Sequence, residues 1–344
     1  MNVLDLFCGC GGLSLGLQNA GFRILLGVDN WGDALKTFKA NHTNSNIYHG
    51  DLTELSFSDI ANQFHENSVD VIVGGPPCQG FSISGKRDPQ DPRNKLYTSF
   101  LGAVDHFKPR AYNMENVPNL ASMNKGAIKE TIRSEFEALG YVLSDKIVLA
   151  SDYGVPQNRK RYILVGLLNK KAFVFPTPSH VENKITCFEA ISDLPEELSN
   201  DSKAYPSPAN SAYQSKMRLG CSEILNHEIT KHNEKTVSTI SLVPDGGNYK
   251  NLPDHLKKTR KVNIAWTRFN SMKPSLTIDT GHRHHFHYEF NRVPTVRESA
   301  RLQSFPDSFV FCCSKTSQYK QVGNAVPPIL GEALGRSLMK HLGP

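Results

Sequence analysis

No stretch of the 344-residue chain is apolar for long enough to cross a bilayer, and no basic, cleavable leader stands before the first strand-like run, Asn2 to Phe7. A membrane-bound or exported protein is therefore not expected, and a cytoplasmic one is. Paired cysteines are missing too. The seven present are an odd number without paired spacing, which excludes a disulfide scaffold and fits reduced thiols. Cys8 and Cys10 make a C-x-C and Cys312 and Cys313 are adjacent; neither is zinc-ligand spacing, and no metal is expected. An acidic excess is absent: the net charge is +6 and the pI about 8.8, which suits a polyanionic partner. No internal repeat is visible.

What is present is organised around Val69-Asp70-Val71-Ile72-Val73-Gly74-Gly75-Pro76-Pro77-Cys78-Gln79-Gly80-Phe81-Ser82. The β-branched run reads as a buried parallel strand, ended by glycines and prolines that fix a loop. Cys78 falls on that loop, where α/β sheets place ligands. It is either a small buried hydrophobe beside a turn or a nucleophile with a lowered pKa.

Upstream, Val3 to Phe7 runs into Cys8-Gly9-Cys10-Gly11-Gly12 and then a helix over Leu13 to Ala20, the nucleotide-binding opening of a doubly wound sheet. Ser14 stands where a dinucleotide fingerprint wants a third glycine, so NAD and FAD fit poorly. A second strand, Phe22 to Val28, ends at Asp29, which either accepts ribose hydroxyls or caps the helix beginning near Asp33. Asp51 follows a third strand around Ile47-Tyr48. Gly85 to Leu96 reads as a polar lid, with Lys86, Arg87 and Arg93 as phosphate contacts.

Glu115 ends a buried segment, Ala111 to Pro118, where burial would raise a carboxyl pKa; a surface glutamate at a strand end would look the same. Arg159 and Arg161 alternate before the strand Tyr162 to Leu168, so in extended chain both face one side and suit a carbonyl or phosphate oxygen; a basic turn in water is the alternative. From about Lys171 to Tyr288 hydrophobic periodicity fades and turn signals recur, as in a smaller, loop-rich domain. There Trp266-Thr267-Arg268-Phe269 and Gly281-His282-Arg283-His284-His285-Phe286-His287-Tyr288 have the mix of a nucleic-acid surface. Thr295 with Glu298 forms a capping box, Gln321 to Pro328 reads as a tight turn, and Ile329 to Leu342 as a closing amphipathic helix.

With these pieces in order, the sequence resembles the DNA (cytosine-5)-methyltransferases of the bacterial modification type. The resemblance rests on Asp5 to Gly12, Gly75 to Ser82, Met114 to Val117, Gln157 to Arg161, Thr295 to Asp307 and Gln321 to Pro327. It implies a doubly wound, mostly parallel α/β sheet, the S-adenosylmethionine-dependent methyltransferase fold, with a smaller target-recognition domain. Expected boundaries are 1–172 with 315–344 for the catalytic domain, 173–293 for recognition and 294–314 for a bracing hinge. It implies catalysis by Cys78, Glu115, Arg159 and Arg161. S-adenosyl-L-methionine would meet Phe7, Gly9, Gly11, Asp29, Asp51, Pro76, Leu96 and Asn324. Duplex DNA would meet Ser82, Arg93, Thr277 and Arg283, while Arg297, Glu298 and Arg301 brace the domains. A monomer in the bacterial cytosol, at the nucleoid, is implied, with a cognate restriction endonuclease acting independently. A tRNA cytosine-5 methyltransferase and an inactive DNA-binding protein are the alternatives.

Overall fold

The computed structural model describes residues 1–64, 68–77, 95–169, 171–199, 202–257, 266–281 and 285–343. By contacts they form two compact units, Met1–Leu149 with Lys160–Thr177 and Leu330–Pro344, and Ala150–Arg159 with Pro178–Ile329. Segments 294–314 and 315–329 thus gather with the second unit.

The first unit is built on seven strands: β1 (Asn2–Leu6), β2 (Arg23–Asp29), β3 (Asn46–His49), β4 (Val71–Gly74), β5 (Ala111–Asn116), β6 (Tyr141–Leu149) and β7 (Lys160–Leu168). Their order is β3-β2-β1-β4-β5-β7-β6. The first five run parallel, and β7 pairs antiparallel with both β5 and β6. Val3, Leu4, Leu6, Val71, Ile72 and Val73 are fully buried, and burial on both faces is why these strands read as continuous apolar runs. Strand order reverses between β1 and β4, so the loops leaving those two strands open at the crevice where such sheets bind ligands. Gly74 ends β4 opposite Leu6. A Cβ there would lie 2.1 Å from the Leu6 carbonyl oxygen, so only glycine lets the two strands meet.

Around the sheet lie α1 (Gly12–Asn19), α2 (Gly32–Asn41), α3 (Phe57–Ala61), α4 (Lys95–Phe107) and α5 (Ala127–Ala138). Phe136 of α5 stacks on Tyr112 of β5 at 4.2 Å between centroids, and Phe100 of α4 meets the same ring edge-on at 6.1 Å.

The second unit holds short helices, α6 (Cys187–Ile191), α7 (Ala212–Met217), α8 (Glu234–Ser241), α9 (Asp254–Lys257), α10 (Val296–Leu302) and α11 (Lys315–Asn324), with a two-stranded parallel pair, β8 (Thr267–Arg268) and β9 (His285–Phe286). The capping box at Thr295 and Glu298 is formed as expected. The tight turn expected from Gln321 is instead the last turn of α11. Its prolines come too late to end the helix before Asn324, and Gly323 allows close approach to the Asp279 backbone. After it, α12 (Pro328–Leu342) returns to the first unit, where Gly331 lies against Leu13 and Gly335 against Leu17.

Two readings of this unit are corrected. The aromatic and basic run from Trp266 is interior: Trp266, Arg268, Phe269, Phe286 and His287 are all buried. Arg268 donates to the carbonyls of Val243, Ile240, His287, Glu289 and Phe290, and to Asn291 Oδ1, at 2.6–3.2 Å. A loop-rich unit has many carbonyls without ladder partners, and one guanidinium satisfies four of them besides the Ile240 carbonyl, which also accepts the Val243 N–H. The second concerns the bracing residues, which tie segments of the second unit itself. Arg301 pairs with Asp193 and Asp307. Arg292 pairs with Glu298, and Arg297 donates to the carbonyls of Leu225, Pro306 and Phe309. Arg301, Asp193 and Asp307 form an ionic cluster in which all three side chains are fully buried, so removing Arg301 would leave buried carboxylates without it.

Candidate active site

The ends of β1 to β5 and the start of β7 in the first unit deliver the polar groups. After β1 the chain turns through Phe7 (φ 61°), Gly9 (φ 55°) and Gly11 (φ 93°) into α1. Gly11 N–H donates to the Cys8 carbonyl at 3.0 Å. At the end of β2, Asp29 does not cap α2, which has no side-chain cap. Its Oδ2 accepts the Gly9 N–H and its Oδ1 the Trp31 N–H, each at 2.8 Å. Burial raises its carboxyl above the usual range, and these N–H groups pull it back. After β3, Asp51 Oδ1 accepts the N–H and hydroxyl of Thr53, both at 2.9 Å. Its Oδ2 makes no hydrogen bond among the described residues.

After β4, Pro76 is buried and its carbonyl accepts the Asn116 amide at 2.9 Å. Asn116 Oδ1 in turn accepts the Val117 N–H at 2.8 Å, so one side chain pins the end of β5 to the loop that leads to Cys78. Glu115 is next to it, with Arg161 Nε 2.5 Å from its Oε1. Each side chain of that pair is 14% exposed, and β7 supplies Arg161 beside β5 by antiparallel pairing. A Cβ on Gly75 would lie 3.0 Å from Glu115 Oε2, so this carboxylate reaches over the start of the same loop. Glu115, Arg161, Asn116 and Pro76 are therefore together.

Other expected residues stand differently. Arg159 lies before β7, in the second unit, fully buried, with Nη2 2.8 Å from the Gly323 carbonyl and Nη1 3.3 Å from that of Ile278. The expected alternation with Arg161 fails because Arg159 is not in the strand. Thr277 donates its hydroxyl to the Asn158 carbonyl at 3.1 Å, and Asn324 is exposed at the end of α11, both in the second unit. Leu96 is half-buried in the first turn of α4. Cys78, Ser82, Arg93 and Arg283, and the expected lid before Leu96, lie outside the described residues. Burial pushes the Cys8 thiol far up and Cys10 to about 12, so neither is poised as a nucleophile. Sequence reasoning passed over His42, which touches the glycine turn (its Nε2 is 3.1 Å from the Gly11 carbonyl), and Gln18, which contacts His42, because neither belongs to a motif.

Around Gly9 a built Cβ would meet nothing within 4 Å. An open glycine turn at a strand-order reversal, with acids after the next two strands, is an arrangement that suits an adenosine and its ribose. The strand order and directions are those of the S-adenosylmethionine-dependent methyltransferase fold.

Within that class, the chain belongs to the C-5 cytosine-specific DNA methylases, whose family model matches residues 1–340, and it is a DNA cytosine-5 methyltransferase. It is 38% identical to the Type II methyltransferase M1.HphI of Haemophilus parahaemolyticus over 99% of this chain and 87% of that one. It is 36% identical to the Type II methyltransferase M.DdeI of Desulfomicrobium norvegicum, over 98% and 88%. Among solved structures, a DNA modification methyltransferase encoded within an E. coli prophage superposes with a TM-score of 0.82 at 27% identity, covering 99% of both chains.

Proposed function

We propose that the protein methylates carbon 5 of a cytosine extruded from a specific short duplex sequence, through a transient bond between Cys78 and carbon 6. The observation that carries this reading is the Glu115–Arg161 pair at the ends of β5 and β7, coupled through Asn116 to the loop that continues into Cys78. Carbon 5 of cytosine is too weak a nucleophile alone. Addition of the Cys78 thiolate to carbon 6 forms a C–S bond and moves the ring electron pair toward carbon 5. Glu115 shares a proton with N3 as charge builds there, and Arg161 binds the carbonyl O2. The glycine turn, Asp29 and Asp51 would hold S-adenosylmethionine, which would supply an electrophilic methyl group to carbon 5, its sulfonium leaving as the thioether S-adenosylhomocysteine. Loss of the carbon 5 proton then returns an electron pair to the ring and expels the Cys78 thiolate.

Base flipping follows from access, since a stacked cytosine cannot offer carbon 6 to a thiol. Ser82, Arg93, Thr277 and Arg283 are proposed on the DNA side. Arg159 is proposed to act by positioning, because its guanidinium is on main-chain carbonyls. A monomer working beside an independent restriction endonuclease in the bacterial cytosol fits the Type II relatives. Transfer of labelled methyl groups to duplex DNA but not to tRNA is the expected result. Transfer to tRNA alone would overturn the substrate assignment, and bisulfite sequencing of a treated plasmid would read the modified cytosine.

A further inference from the structure

We infer that His42 is a positioning residue for the cofactor turn, holding Gly11 from behind while Asp29 holds Gly9 from in front; the inference rests on the cofactor reading above. His42 follows the last residue of α2, buried and packed on Phe38 at 4.3 Å between ring centroids. Its Nε2 lies 3.1 Å from the Gly11 carbonyl oxygen and its Nδ1 2.7 Å from Gln18 Oε1. Gly11 and Gln18 are two helical turns apart, so one ring can touch both on a single face of α1. A carbonyl only accepts, which puts the ring hydrogen on Nε2. Burial lowers the imidazole to about 4, so it has no second hydrogen for Gln18 Oε1, and the contact is a hydrogen bond once the Gln18 amide is assigned the flipped way, with its N–H on Nδ1.

Gly11 is shaped for this contact. Its φ is 93°, and a Cβ would lie 2.2 Å from His42 Nε2, so the ring occupies the space any side chain would need. No side chain caps α1 at Gly11. The β2–α2 segment therefore grips the turn at both glycines, since Asp29 accepts the Gly9 N–H at 2.8 Å.

The test is calorimetric binding of S-adenosylhomocysteine to the full chain, alongside Tm and steady-state kinetics. His42→Phe keeps the ring but removes both hydrogen bonds. If the turn then holds its binding geometry about a tenth of the time, affinity falls about 10-fold while kcat at saturating cofactor stays within about two-fold. His42→Gln, which keeps a donor, should recover most of the loss, and Gln18→Met should lose about 3-fold. Wild-type affinity in His42→Phe overturns the inference, as does an equal loss in His42→Gln with a matching fall in Tm, which would make His42 mere packing. Should His42→Phe fail to fold, unchanged affinity in Gln18→Met overturns it. Asp29→Ala separates the two claims: if it binds as tightly as the parent, or the parent does not bind, the cofactor reading itself fails.

Discussion

Arg268→Met is expected to collapse the interior of the second unit rather than to weaken a DNA contact. The substitution keeps an unbranched apolar stem but strips the donor from four carbonyls, those of Val243, His287, Glu289 and Phe290, while Ile240 keeps the Val243 N–H. A buried acceptor left without a donor costs about 1–3 kcal/mol, and some of the four would recruit water, so the net loss is about 4 kcal/mol. At about 2–4 °C per kcal/mol for a unit of this size, Tm should fall by about 8–16 °C. Arg268→Lys is the sharper variant. It keeps the charge, yet a single ammonium cannot span acceptors fixed by a planar fork, so it should lose nearly as much. Differential scanning calorimetry reads both, with DNA affinity measured across salt concentrations. Wild-type Tm together with a shallower salt dependence in Arg268→Met would refute the reasoning and restore Arg268 to the DNA surface.

Glu115→Gln should keep cofactor affinity within about two-fold and reduce methyl transfer by about 10²-fold or more, because it retains the Asn116 contacts but cannot share a proton with N3; equal loss in both would argue for misfolding. Asn113 is fully buried on β5 between Val73 and Val165, and neither atom of its amide has a partner among the described residues. Asn113→Leu should therefore raise Tm by a few degrees, and a fall would mean that a buried water satisfies the amide. His287 accepts N–H groups from Glu289 and Phe290 at Nδ1, and burial lowers it to about 4 despite Glu298 nearby. Since the unfolded chain binds that proton near pH 6.5 and the folded one near 4, stability must fall as pH drops through this window, by about 1.4 kcal/mol per pH unit. Asp5, raised to about 7, works in the opposite direction, so the comparison is between parent and His287→Gln in urea denaturation from pH 4 to 6.5. The variant should lack that part of the acid slope, and parallel curves would refute the assignment.

The sheet was legible because its signals are local. Buried runs such as Val71 to Val73 have no second reading as strands, and Gly74, Gly9 and Gly11 stand where the backbone leaves them. Glu115, Asn116 and Arg161 could be named from their blocks, while their mutual distances needed the antiparallel register of β5 with β7. The second unit was less legible because its chemistry is long-range. Arg268 reads as a nucleic-acid contact and Arg301 as a brace between domains, and only distant partners, Ile240 at 28 residues and Asp193 at 108, reveal their interior roles. Arg159 failed for a related reason, since its partners are carbonyls of Ile278 and Gly323, and main-chain acceptors leave no mark in composition. His42 lacked a signal because a lone histidine at a helix end is ordinarily packing.

The central claim is a covalent step, and incubation with a duplex carrying 5-fluorocytosine in the target sequence tests it most directly. With S-adenosylmethionine present, the parent should become trapped on the DNA as a denaturation-stable adduct, because fluorine cannot leave carbon 5 as the proton does. Cys78→Ser should form none and should lose methyl transfer. A Cys78→Ser protein that methylates cytosine at the parental rate, or a parent that methylates ordinary duplex yet is never trapped, would contradict the account.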